Sequence, residues 1–224
     1  MKRSLATLTV CGVVAGVVGS AHADQVYVDY MGTTDNMGNG VAVSLSGGLT
    51  FWDGSTSKTL WAGQRSIEVN GELVKAYSAE LTDRAGTGWH DEMQANEALG
   101  GMKASAIDNL FAATDGGAFV SAEEAVAFQA LLWEVLYDYD GSSESVDLHS
   151  GRVAFGMVDE SVFEALKASL GMRGGSDPQL AVISSEVFGD HFRFGGDPRI
   201  IPLPSAAALT GAGLLALGAR RRRA

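Results

Sequence analysis

Two different hydrophobic rhythms run along this chain, and the change between them divides its body. From Gln25 to Tyr30 apolar and other residues alternate around Val26 and Val28, the two-residue period of a strand. Met31 to Gly40 is rich in Gly, Asn and Asp and reads as a loop. Val41 to Leu45, Leu49 to Trp52 and Thr59 to Trp61 are short strand candidates separated by Gly and Ser. Arg65 to Val69 and Leu73 to Leu81 flank Asn70-Gly71, a dipeptide that suits the positive φ angles of a two-residue hairpin. These segments predict an antiparallel sheet. After Asp83 the period lengthens. Gln94 to Ala113 has helical composition, with Leu99, Met102, Ile107 and Leu110 apolar and a break expected at Gly100-Gly101. Ser121 to Tyr139 is the strongest helix, opened by Ser121 and Glu124 in capping-box spacing. Ala125, Gln129, Leu132 and Leu136 form its stripe, with Val126, Phe128 and Trp133 beside it. Val153 to Met157 predicts a strand and Asp159 to Met172 a helix, and Leu180 to Val187 and His191 to Phe194 close the body as strands. The expected fold is α+β: an antiparallel sheet or small sandwich with two or three packed helices.

The two ends follow other patterns. Lys2 and Arg3 precede an apolar run from Leu5 to Val18, and Ala21-His22-Ala23 is a small-x-small cleavage site. Residues 1–23 therefore read as a secretory signal peptide. At the other end, Pro202-Leu203-Pro204 is followed by an apolar stretch to Ala219 and then by Arg220, Arg221, Arg222 and Arg223. Ser205 to Ala219 would make roughly 22 Å of helix, short of the ~30 Å hydrocarbon core, so it suits transient retention as a short transmembrane helix. The arginines would stay on the cytoplasmic side, which holds the body outside.

This order of parts resembles the PEP-CTERM sorting signals of Gram-negative-type bacteria, which exosortases process. Leu203 stands where that family has Glu, so the tail is similar to the Val-Pro-Leu-Pro-Ala variants. The resemblance covers residues 200–224 and implies the secretion machinery, an exosortase-like enzyme and, transiently, the inner membrane as partners. A plain tail anchor is the competing reading. Residues 24–199 remain as one extracytoplasmic domain, large enough for a sizeable core.

Charge narrows the partners. Six of the 16 Lys and Arg lie in the two ends, leaving ten against 27 Asp and Glu, a net charge of −17 on the body. This charge argues against nucleic acid and anionic lipid surfaces as partners. The single cysteine, Cys11, belongs to the signal peptide, so the mature body has no disulfide, thiolate or Cys-ligated metal.

One constellation carries candidate chemistry. Gln129 lies on the apolar stripe of the long helix, where a buried amide must find partners. It reads first as a core glutamine bonded to a strand edge. The words around it allow more. Tyr77-Ser78-Ala79-Glu80-Leu81, followed later by Phe128-Gln129-Ala130-Leu131-Leu132-Trp133-Glu134, resembles the Cys–Gln thioester domain. In that family a Tyr-Cys strand meets a helix carrying a Gln-x-Ala-Ile-Trp-type motif, and the cysteine displaces ammonia from the glutamine to form an internal thioester. The resemblance places Gln129 on the glutamine, Trp133 on the helix tryptophan, Tyr77 on the strand tyrosine and Ser78 on the cysteine. A serine hydroxyl is protonated at neutral pH and needs a base to attack. Glu80, two residues on, would share the strand face of Ser78. The implied state is a thioester domain without its warhead, with Ser78 and Gln129 hydrogen-bonded across the old site; a Ser78–Gln129 ester is the reactive alternative.

Other chemistry finds less footing. Asp138-Tyr139-Asp140-Gly141, with Glu144 and Asp147, is an acidic loop in which Ser142 and an early glycine break the EF-hand pattern, so it reads mainly as a solvated turn. His90, His149 and His191 have no ligand spacing, and His90 between Trp89 and Asp91 suits a surface loop. No metal or cofactor is expected, and no catalytic residue. The expectation is a non-enzymatic, exported envelope or matrix protein with a structural or adhesive role. Two rivals stand beside it. One is a surface module binding envelope polysaccharide through Trp52, Trp61 and Trp89. The other is an extracellular hydrolase using Glu134 and Asp138, one helical turn apart, a pair that otherwise reads as a solvated face.

Overall fold

In the computed structural model, residues 24–81, 87–171, 180–184 and 191–194 are described. Both end segments, with Ala21, Ala23, Pro202 to Pro204 and Arg220 to Arg223, lie outside them. Among the described residues no helix is long and apolar enough to cross a membrane.

Among the described residues seven strands form one antiparallel sheet: β1 (Asp24–Leu45), β2 (Ser57–Val69), β3 (Glu72–Ser78), β4 (Gly88–Gln94), β5 (Val153–Gly156), β6 (Leu180–Ser184) and β7 (His191–Phe194). The order runs β2-β3-β7-β6-β4-β1-β5, and β2 also pairs with β1. That second pairing closes six strands into a barrel, with β5 outside the closure. The antiparallel sheet expected from the sequence is present, and its closure rules out the sandwich alternative. Closure is possible because β1 is long: Asp24 to Val28 pair with β4, and Val28 to Ser44 pair with β2. A closed ladder leaves few unpaired backbone edges. Val26, Val28, Ile67, Val69, Val74 and Ala76 form the small interior cluster, all buried.

Residues 31–40 are not a loop. They stay in β1 against β2, with register shifts after Tyr30 and after Thr33. Thr33 faces Arg65 and Gly38 faces Gly63, so four residues of β1 bulge against Gln64 alone. The backbones touch there. A Cβ on Gly63, whose φ is +134°, would meet the Met37 carbonyl oxygen at 2.2 Å, so only glycine permits the approach. Beyond the bulge, Ala42 to Ser44 lie between β2 and β5. Leu49 to Trp52, expected as a strand, forms tight turns that bury Phe51. The separate strands expected at Thr59–Trp61 and Arg65–Val69 are one strand, β2. The Asn70-Gly71 hairpin joins β2 to β3 as expected, with Asn70 at φ 52°.

Four α-helices are present among the described residues: α1 (Ala95–Leu99), α2 (Gly101–Ala113), α3 (Ala122–Tyr137) and α4 (Glu160–Lys167). Gly100 separates α1 from α2, as its position predicts. Ser121 Oγ accepts the Glu124 N–H at 3.2 Å and caps α3. The helix expected over Asp159 to Met172 is shorter: α4 ends at Lys167 and a 3₁₀ turn spans Ala168–Gly171. The centre of α3 packs on β1 and β2 and also meets α2, α4 and β5. Every residue from Ala125 to Val135 is buried, so α3 has no polar face over its central turns.

Candidate functional site

β3 ends at Ser78, and its last two residues meet the middle of α3. The amide of Gln129 makes two bonds to the backbone of Ser78. Ser78 N–H donates to Gln129 Oε1 at 3.0 Å, and Gln129 Nε2 donates to the Ser78 carbonyl at 2.8 Å. The side chain thus copies the double bond of an antiparallel residue pair. Both residues are buried, so this pairing satisfies groups that would otherwise cost roughly 1–3 kcal/mol each.

The Ser78 hydroxyl donates to the Glu80 carbonyl at 2.8 Å. This corrects the placement of Glu80 on the Ser78 strand face. The strand has already ended, and it is the backbone of Glu80 that takes part. The hydroxyl proton therefore goes to a carbonyl that cannot act as a base.

Beside this seam stands Tyr77, buried among Phe111, Phe119 and Phe128 with ring centroids 4.8–6.5 Å away. Its hydroxyl donates to the Gly117 carbonyl at 2.7 Å, and Gln64 Nε2 donates to the same carbonyl at 3.1 Å. Burial pushes the phenol well above its ordinary range, so it stays protonated. A Cβ on Gly117, at φ +74°, would lie 2.9 Å from the Tyr77 ring and 3.2 Å from Phe111. Gln64 and Gly117 drew no attention in the sequence. The Gly116-Gly117 pair after α2 was the available signal for a close approach.

Trp133 is buried four residues on from Gln129 and stacks on Phe155 at 5.8 Å and 12°. Next to it, Glu134 corrects a second expectation. Its side chain is not on a solvated face but fully buried, because α3 is covered on all sides there. Glu134 Oε2 accepts the Asp147 N–H at 3.3 Å, while Oε1 has no hydrogen-bond partner among the described residues. Burial first, and the Asp138 carboxylate second, push this carboxyl up to about 9, so it is neutral at pH 7. Asp138 is engaged differently. Its oxygens accept the N–H groups of Arg152 and Val153 at 2.9–3.1 Å, tying the loop after α3 back to the helix end. The two carboxyls of the hydrolase reading thus sit in a packed core and a loop clasp.

In the acidic loop, Asp140 Oδ1 accepts Ser142 N–H and Asp147 Oδ1 accepts His149 N–H, turns that the carboxylates cap. Among the described residues no three His, Asp or Glu side chains gather as a metal site. His90 is no surface-loop residue; it is buried on β4, a strand that sequence reading missed. The three tryptophans of the glycan reading are dispersed. Trp52 lies in a turn under Lys58, Trp61 is half-buried on β2 near Arg65, and Trp89 is exposed on β4.

No family model matches this chain, and no curated protein matches it. Among solved structures it is similar to the thioester domain of the Staphylococcus aureus TIE protein, with 17% identity and a TM-score of 0.37 over 66% of this chain and 53% of that one. The chain spans about half the length of that solved chain.

Proposed function

We propose that this is an exported cell-envelope or matrix protein whose body is a thioester-like domain without its warhead, serving a structural or adhesive role rather than catalysis. The observation that carries the reading is the seam between the end of β3 and α3. There the backbone of Ser78 holds the amide of Gln129 in a buried, aromatic-walled position. A thioester needs its nucleophilic residue beside its amide, and the seam makes these two residues neighbours. Oxygen in place of sulfur, with its O–H donated to the Glu80 carbonyl, leaves the pair as a structural clasp. Export and sorting rest on the sequence of residues 1–23 and 200–224, and the proposed partners are secretion machinery and an exosortase-like enzyme.

Restoring the sulfur tests this. In Ser78→Cys the thiolate would attack the Gln129 amide carbon, the C–N bond would break, and ammonia would leave with the thiol proton. Intact mass spectrometry of the variant should show the loss of one ammonia, mapped to peptides containing residues 78 and 129. A full-mass variant whose thiol reacts freely with an alkylating agent would remove the thioester-like reading. The wild-type protein is expected at full side-chain mass. Recovered from its native envelope, it should begin at Asp24 and lack the arginine tail.

A second reading, polysaccharide binding, is favoured by one observation. Trp89 is 63% exposed on the barrel and lies against a second exposed ring, Tyr27.

A further inference from the structure

The outer face of the barrel around β1 and β4 has a composition that neither folding nor the Ser78–Gln129 seam requires. Tyr27 and Trp89 are opposed in register on these adjacent strands, 42% and 63% exposed. Their ring centroids are 5.4 Å apart and their planes stand at 76°. The pair therefore presents two nearly perpendicular aromatic surfaces to solvent. Large exposed rings side by side on a strand pair are unusual without a partner to cover them.

What surrounds the rings defines the partner. Gln25 and Asp91 face each other on one side of the pair, and the Gln25 amide donates to Asp91 Oδ1 at 3.5 Å. On the other side Asp29 accepts the Thr87 hydroxyl at 2.7 Å, and Glu68 on β2 stands opposite Asp29. Asp29, Asp91 and Glu68 form no ion pair with a lysine or arginine among the described residues. Their charge is therefore not neutralised by this part of the chain.

We propose that this face binds a cationic amino-sugar polymer, one whose rings carry free primary ammonium groups. An aromatic plane takes the C–H face of a sugar ring and attracts an ammonium held over it. Asp29, Asp91 and Glu68 supply charge-assisted acceptors on both flanks. The same three charges, on a body of net −17, repel uronate, sulfate and phosphate polymers. Polar side chains, Gln25 and Asp91 on one side and Asp29 and Thr87 on the other, flank the rings, and a saccharide has hydrogen-bonding groups along both edges to meet them. The inference gives a ligand class to the adhesive role. It is independent of the Ser78–Gln129 seam, which the mass of Ser78→Cys tests on its own.

The test is binding of the full chain to β-linked glucosamine oligomers, their N-acetylated counterparts and poly-lysine, by isothermal titration at low and moderate salt. Glucosamine oligomers should bind, with affinity falling at least tenfold in Trp89→Ala and severalfold in Asp91→Asn and as salt rises. The N-acetylated oligomers, uncharged, should bind at least tenfold more weakly. Both variants should still unfold cooperatively and close to the parent, since the substituted side chains are exposed and each loses only one cross-strand contact. Equal binding of the N-acetylated oligomers would overturn the cationic assignment. Poly-lysine binding with the same Trp89 dependence would assign the face to basic peptides instead. Binding unaffected by Trp89→Ala would remove the face altogether.

Discussion

Replacing Glu134 by Gln should change how stability depends on pH. Glu134 is fully buried, its carboxyl is raised from 4.5 to about 9, and it is neutral in the folded protein at pH 7. In the unfolded chain it ionises with its ordinary value. The folded-state value is the higher one, so the contribution of this group is fully present below about pH 4.5 and is lost as pH rises toward about 9. Each pH unit inside that window costs about 1.4 kcal/mol, so from pH 5 to pH 8 the wild-type protein should lose about 4 kcal/mol from this group alone. Glutamine never ionises. Its carbonyl can take the Asp147 N–H, while its amide nitrogen occupies the place of Oε1, which has no partner among the described residues, at a cost of about 1–3 kcal/mol that does not vary with pH. The variant should therefore be the less stable protein near pH 5 and the more stable one near pH 8. Asp147 and Asp159, whose carboxyls are held below their ordinary range by hydrogen bonds, titrate in both proteins and drop out of the difference. Urea unfolding at half-unit steps between pH 5 and pH 8 measures it. Parallel curves for the two proteins would refute the reasoning, because they would mean that Glu134 is ionised or hydrated in the folded state.

The remaining predictions concern the seam. Gln129→Leu removes the two bonds that the Gln129 amide makes to the Ser78 backbone and should cost about 2–5 kcal/mol in chemical unfolding; a loss under about 1 kcal/mol would mean that water replaces the amide. Gly117→Ala places a Cβ 2.9 Å from the Tyr77 ring at a φ that favours glycine. It should lower stability by about 1–3 kcal/mol and alter the near-ultraviolet circular dichroism of the aromatic cluster.

Local signals in the chain determined what local chemistry controls. Asn70-Gly71 set the hairpin because both positions need positive φ. Ser121 set the start of α3 because its hydroxyl caps a free N–H, and Gly100 divided α1 from α2. The α+β class with an antiparallel sheet followed from the two periods. Tertiary structure decided the rest. β4 was hidden because Trp89 and Asp91 face solvent and its polar sequence shows no apolar alternation until β1 and β6 flank it. The bulged middle of β1 resembles a loop in composition, yet β2 supplies its partners and the barrel closes through it. Periodicity shows which face of a helix is most apolar; it cannot show that other elements cover the remaining faces. That covering buries Glu134 and turns an ordinary carboxylate into a neutral acid. Likewise the contact between Ser78 and Gln129 spans 51 positions. The residue types in those two words were written in the sequence. The distance between them arises only where the end of β3 is pinned, by β7 and the aromatic cluster, against the buried middle of α3.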